Sequence, residues 1–190
     1  IHRVWPDGSV PDGNPFVDVE NALPSVYSLG HRNPQGMSIH PASGAIWASE
    51  HGPMGGDELN VVRRAANYGW PEVTYGLNYT GAPVADKTRA EGFEQPALYY
   101  RPSIAVCGIE FCQGEEFPLW HGKLLIGALK YEEVILATLA EDHVIHQETI
   151  LKNAGRVRDI GIDPAGSIYI VTEQPSRIWR LTQIRERVYR

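Results

Sequence analysis

Two glycines bracket a run of polar side chains at Gly30-His31-Arg32-Asn33-Pro34-Gln35-Gly36. A guanidinium there can grip a carboxylate through two parallel hydrogen bonds, and the Asn and Gln amides can satisfy carbonyls beside it. The same run also suits a polar turn whose side chains only secure the loop backbone. A second stretch, Glu50-His51-Gly52-Pro53-Met54-Gly55-Gly56-Asp57-Glu58, has the make-up of a hard-cation loop. Calcium takes oxygen ligands, and a Gly-Pro loop can turn backbone carbonyls inward while nearby carboxylates add charge. The acids are not spaced as in an EF-hand, and a Gly-rich acidic loop is often just a solvated turn.

Further cations stand at the ends of apolar runs. Lys130 follows LLIGAL, and Arg156-Val157-Arg158 puts two guanidiniums on one face of a strand, where residues two apart point the same way. Several cations aimed from strand ends of an acidic chain point to a polyanionic ligand. For Arg156 and Arg158 alone, a solvated edge charged to discourage aggregation is the better reading. His143 and His146 lack a third ligand at metal-binding spacing and read as surface residues. No phosphate-cradling glycine loop, nucleophile elbow or Cys/His zinc pattern is present.

The elements that must carry these groups are short strands. Residues 36–49, GMSIHPASGAIWAS, place apolar runs on both sides of a His40-Pro41-Ala42-Ser43-Gly44 turn. Residues 159–172, DIGIDPAGSIYIVT, repeat the scheme around Asp163-Pro164-Ala165-Gly166, a type I turn sequence. Residues 108–129 have the same shape with a longer connection, and Ile46, Ala48, Ile168 and Ile170 alternate at period two. A short helical turn is expected around Val61–Ala66, and residues 82–95 read as a polar surface excursion. Recurrent hairpins without a helical period predict an all-β chain, a propeller or other radial repeat, with a β-sandwich as the plainer alternative.

Bulk properties bound the rest. At 190 residues, 43% hydrophobic and 21% charged, the chain is long enough for one domain with a substantial core. A net charge of −6 argues against a nucleic-acid binder, and no apolar stretch is long enough to span a bilayer. Cys107 and Cys112 read as small buried residues of a strand. The chain opens at Ile1 without a charged-then-apolar leader, which predicts a fragment.

Four motifs in order, GHRNPQG (30–36), EHGPMGGDELN (50–60), NYGWP (67–71) and YGLNY (75–79), followed by IGALK (126–130) and RVRDI (156–160), resemble one family. It is that of the soluble glucose and aldose sugar dehydrogenases dependent on pyrroloquinoline quinone (PQQ), the glucose/sorbosone dehydrogenase family. The aldose sugar dehydrogenase branch fits best, because it shares His51 where the glucose enzymes tend to have Gln. The resemblance implies a six-bladed β-propeller of which residues 1–190 form the C-terminal part, about three to four blades in a single domain.

It also implies roles. Arg32 and Asn33 would contact the quinone, with Gln35 close by and Arg32 stabilising charge. Tyr79, Lys130, Arg156 and Arg158 would complete the PQQ pocket. Gly52 and Pro53 would offer carbonyls to the calcium that bridges protein and cofactor, and Glu58 and Tyr68 match positions of a second, structural calcium. The implied reaction oxidises an aldose at its anomeric carbon to a lactone, with an external electron acceptor and a periplasmic or secreted location. The family's catalytic histidine lies upstream of residue 1, so the N-terminal half is the expected partner and the chain alone is expected to be inactive. A non-catalytic binding propeller is the second reading, and a calcium-dependent lactonase the third.

Overall fold

The computed structural model describes residues 1–183, and regular structure in them is β apart from one 3-10 turn at Pro118–Trp120. The first sheet runs in chain order through β1 (Pro34–Ile39), β2 (Ile46–Glu50), β3 (Asp57–Val62) and β4 (Leu98–Tyr100). The second holds β5 (Val106–Phe111), β6 (Leu124–Ala128), β7 (Glu133–Ala140) and β8 (His143–Leu151). The third holds β9 (Arg156–Ile162), β10 (Ile168–Glu173) and β11 (Arg177–Leu181). Every neighbouring pair is antiparallel. Sequential pairing of this kind needs only short connections.

The expected turns form. Asp163 Oδ1 accepts the N–H groups of Ala165 at 3.0 Å and Ser167 at 2.9 Å, so the side chain itself holds the β9–β10 turn. Around His40 the Gly44 N–H returns to the His40 carbonyl at 2.9 Å. The helical turn expected at Val61–Ala66 is not there. Val61 and Val62 finish β3, paired with Trp47 and Ile46, because β-branched side chains pack better on a pleated sheet than along a helix.

The sheets stack face to face around two apolar layers. Trp47, Leu59, Phe111, Leu124 and Ile126 fill the space between the first and second sheets. Leu125, Leu136, Val157, Ile168 and Ile170 fill the space between the second and third. β6 is buried on both faces, which explains its uninterrupted apolar sequence. Cys107 and Cys112 are both free and buried, in keeping with their reading as small core residues. The outward faces of the first and third sheets carry exposed apolar side chains, among them Met37, Ile39, Val171 and Ile178.

Strands β1, β5 and β9 lie side by side and run in the same direction. Contact is backbone to backbone: a Cβ on Gly36 would stand 2.7 Å from the Cys107 carbonyl, and one on Gly108 would stand 2.7 Å from Asp159 Cα. Only glycine permits that approach. The N-terminal ends of these three strands therefore share one rim, together with the β2–β3 loop and the residues following β6. Turns 40–44 and 163–166 lie at the opposite rim.

Candidate functional site

Strand alternation builds the site. On β3, Asp57, Leu59 and Val61 face the second sheet, whereas Glu58, Asn60 and Val62 face the other way, with Glu50 of β2 opposite Glu58. Glu50 is 4% exposed and organises the loop above it. Its Oε2 accepts the Arg32 N–H at 2.7 Å and lies 3.4 Å from the Asn33 N–H, while Oε1 meets His31 Nδ1 at 3.0 Å and Asn60 Nδ2 at 2.8 Å. His31 Nε2 meets Ser28 Oγ at 2.8 Å, and the imidazole stacks on Tyr68 at 4.4 Å. Burial alone would raise the Glu50 carboxyl, but His31 and the two backbone N–H groups hold it below the usual carboxylate range.

Arg32 leaves this loop toward the second one. Its Nη1 donates to the His51 carbonyl at 2.8 Å, and its guanidinium carbon lies 5.3 Å from the centroid of the Trp70 ring. Asn33 Oδ1 accepts from Gln35 Nε2 at 2.9 Å, and Gln35 Oε1 lies 3.9 Å from Cys107 Sγ. Burial pushes the Cys107 thiol up, opposed by the Gly108 backbone N–H and by the neighbouring Arg158. Contacts thus run across the rim from β1 through β5 to β9. There Arg156 Nε and Arg158 Nη2 each stand 2.8 Å from Glu173 Oε1, and Arg158 first, then Arg156, hold that carboxyl below its ordinary value. Lys130 forms no ion pair among the described residues, and its Nζ lies 5.8 Å from the Tyr131 ring centroid.

The β2–β3 loop is folded tightly upon itself. A Cβ on Gly52 would stand 2.1 Å from the Gly55 carbonyl oxygen, so the position requires glycine. Met54 pairs with Leu77 in both directions, and the Gly56 N–H reaches the Tyr100 carbonyl at 2.7 Å. The carbonyls of Gly52 and Pro53 accept no hydrogen bond among the described residues. Beneath the loop a cavity of about 10 Å³, bounded by Gly30, Arg32, Glu50, His51, Gly52 and Glu58, has room for one atom-sized guest. His51 Nε2 and Asn60 Oδ1 are buried without partners. Glu58 is pushed up to about 7 by burial, and further by Glu50 and Asp57, against the Asn60 amide that pulls it down. Open carbonyls, orphaned polar atoms and a carboxyl in want of a counter-charge fit a hard cation. Among the described residues no group of three or more His, Cys, Asp or Glu is arranged to hold a metal, so main-chain oxygens would have to supply much of the coordination.

Two expected residues differ in their placing: Tyr68 lines the same cavity, and Tyr79 does not. The Tyr68 hydroxyl donates to the Val61 carbonyl and accepts the Arg63 N–H at 2.9 Å, so the phenol is fully engaged in structure and only its main chain is open to a metal. Tyr79 is 72% exposed and hydrogen-bonds none of the other site residues among those described. Conversely, sequence reading missed Glu50, His31, Asp57 and Trp70 as organisers. The sequence shows only that acids, Glu50, Asp57 and Glu58, flank the Gly-rich β2–β3 loop, a pattern that solvated turns share.

The family model for glucose / sorbosone dehydrogenase matches residues 1–180. The chain belongs to this family. It is 43% identical over 177 residues to the aldose sugar dehydrogenase YliI of Escherichia coli (strain K12), covering 92% of this chain and 48% of that protein. It superposes on a glucose dehydrogenase crystal structure with a TM-score of 0.91 at 42% identity, covering 96% of this chain and 54% of the other. With the PQQ-bound aldose sugar dehydrogenase of Streptomyces coelicolor the TM-score is 0.72 at 26% identity, over 95% of this chain and 51% of the other. The chain spans about half the length of the curated relatives it matches. No helix among the described residues is long and apolar enough to cross a membrane.

Proposed function

We propose that this glucose/sorbosone dehydrogenase chain forms the C-terminal, three-sheet portion of a six-bladed propeller, and that the full-length protein oxidises aldoses to lactones with PQQ and Ca²⁺. The observation that carries the reading is the shared rim, on which Arg32, Lys130, Arg156 and Arg158 stand at or next to strand ends and to which the loop with the free Gly52 and Pro53 carbonyls also belongs. A PQQ-bound relative of the same fold supports it. Bound there with its calcium, PQQ would supply a two-electron acceptor for the hydride of the sugar's anomeric carbon.

The chain's own residues do the rest. Arg32, braced between Trp70 and the His51 carbonyl, holds its charge in one place, where it would stabilise negative charge developing on a bound quinone. Lys130, Arg156 and Arg158 bind cofactor carboxylates; each charge-assisted hydrogen bond contributes about 1.5–3 kcal/mol. Gly52 and Pro53 would offer their carbonyl oxygens to a calcium at the cofactor, and Glu58 with the Tyr68 main-chain carbonyl would hold a second, structural one. Asn33 and Gln35 fix each other at the edge of the pocket. The resemblance implies a proton acceptor for the sugar hydroxyl in the half of the relatives that this chain does not cover, and in keeping with that His31 has both ring nitrogens engaged and the free nitrogen of His51 is buried. A second partner, an external electron acceptor, and a periplasmic setting belong to the same proposal.

The test adds PQQ and Ca²⁺ to the metal-free full-length protein and follows cofactor absorbance, then dye reduction with aldoses. Spectral change requiring both additions, followed by sugar-dependent reduction, is expected. No spectral change with either addition would overturn the assignment.

A further inference from the structure

We propose that Asp57 is a positioning residue that sets two separate arms of this site at once: the Gly52–Pro53 carbonyl loop and the strand end bearing Lys130. The inference rests on the PQQ- and calcium-binding reading above. Asp57 opens β3 on the face toward the second sheet and is fully buried. Its Oδ1 accepts the Gly52 N–H at 3.0 Å. Its Oδ2 accepts the Ala105 N–H at 2.6 Å and lies 3.3 Å from the Val106 N–H, and the Ser103 hydroxyl stands 2.8 and 2.7 Å from the two oxygens. These donors fill the roughly four acceptor sites of a carboxylate. All of them are uncharged, and Asp57 has no cationic partner among the described residues. A buried charge held only by neutral donors loses its solvation unless every donor stays in place.

That requirement makes the carboxylate a fixed point for its donors. On one side it holds the first peptide of the β2–β3 loop, whose later anchors are Met54 on Leu77 and Gly56 on Tyr100. Between those anchors the Gly52 and Pro53 carbonyls remain free. On the other side it holds the turn at 103–106, where Ala105 adopts a φ of +56°. The carbonyls of that turn then take the strand after β6: Leu129 N–H donates to Ala105 at 2.9 Å, and Lys130 N–H to Ile104 at 3.0 Å. One side chain therefore sets the spacing between a metal-facing loop on the first sheet and an anion-facing lysine on the second.

Absorbance-monitored Ca²⁺ titration of the metal-free full-length protein at fixed PQQ tests this without using turnover. D57N keeps the shape but points an amide donor at N–H groups that need an acceptor. It is expected to raise the Ca²⁺ half-saturation about tenfold or more, the effect of losing one charge-assisted hydrogen bond, and to weaken PQQ binding at saturating Ca²⁺ as well. S103A, which removes one donor, is expected to shift the half-saturation about threefold in the same direction. L59V thins the core beside Asp57 without touching its donors; its thermal midpoint should fall while its half-saturation stays at the wild-type value. A wild-type half-saturation in D57N overturns the proposal, as does an equal shift in L59V, since loss of packing would then suffice. Should D57N fail to fold, S103A against L59V decides by the same criterion. A wild-type protein blind to PQQ and Ca²⁺ sinks the underlying reading, and the positioning role falls with it.

Discussion

His31 Nδ1 lies 3.0 Å from Glu50 Oε1, and the other oxygen of that carboxylate takes the Arg32 N–H at 2.7 Å. One buried acid thus ties the side chain of one loop residue to the main chain of the next. Replacing it with Ala takes one partner from the His31 imidazole and from the Asn60 amide, which keeps Glu58, and leaves the Arg32 and Asn33 N–H groups without their acceptor. E50A is expected to destabilise the full-length protein by about 2–4 kcal/mol, toward the upper end for a broken buried network. Chemical denaturation measures it; a loss under 0.5 kcal/mol would show that the network carries little.

Glu58 predicts how stability varies with pH before metal is added. Its folded value, about 7, lies above that of an unfolded carboxyl, so the protonated form is favoured by folding. Its contribution is complete below about pH 4.3 and is lost as pH climbs through 7. The thermal midpoint of the metal-free protein should therefore decline between pH 5 and 8, and E58Q should flatten that decline. Saturating Ca²⁺ should flatten it too, because a bound cation favours the ionised acid. An unchanged slope in E58Q would refute the assignment.

Arg158 is held by Glu173 before any ligand arrives, and that pairing keeps the guanidinium at the rim. R158Q should weaken PQQ binding to the full-length protein about 10–100-fold, from the loss of one charge-assisted contact. Its folding should hardly change, since exposed ion pairs contribute little. Fluorescence or absorbance titration of PQQ decides, and wild-type affinity would remove Arg158 from the pocket.

The outward faces of the first and third sheets leave Met37, Ile39, Val171 and Ile178 in water, 49%, 58%, 39% and 72% exposed. Apolar sheet faces of this kind self-associate. The 190-residue chain produced alone should sediment as oligomers, and the pair I39K and I178K should shift it toward monomer. A monodisperse wild-type monomer would contradict this.

Much of the architecture was legible from local chemistry. The Asp163-Pro164-Ala165-Gly166 turn declared itself because Asp, Pro and Gly each act on adjacent backbone, and period two marked the flanking strands. The misplaced helical turn at Val61–Ala66 came from reading its polar flanks over its two valines. The organisers Asp57 and Glu50 were illegible for another reason. The donors of Asp57 come from as far as 49 positions away and are met only when the second sheet packs on the first, and those of Glu50 only when the 31–33 loop folds over β2 and β3, so what distinguishes either from a solvated acid is tertiary. The same holds for Trp70 beneath Arg32, whose sequence neighbourhood says only that it lies in a loop.

Gly36 and Gly108 carry a consequence for how this protein can change. Because β1, β5 and β9 touch through main chain, the spacing of these three strands is set by van der Waals contact between their backbones. Mutations accumulating on the outer strands can restyle the perimeter without altering the separation of Gln35, Cys107 and Arg158. A single methyl added at either glycine would wedge the inner strands apart and disturb all three together.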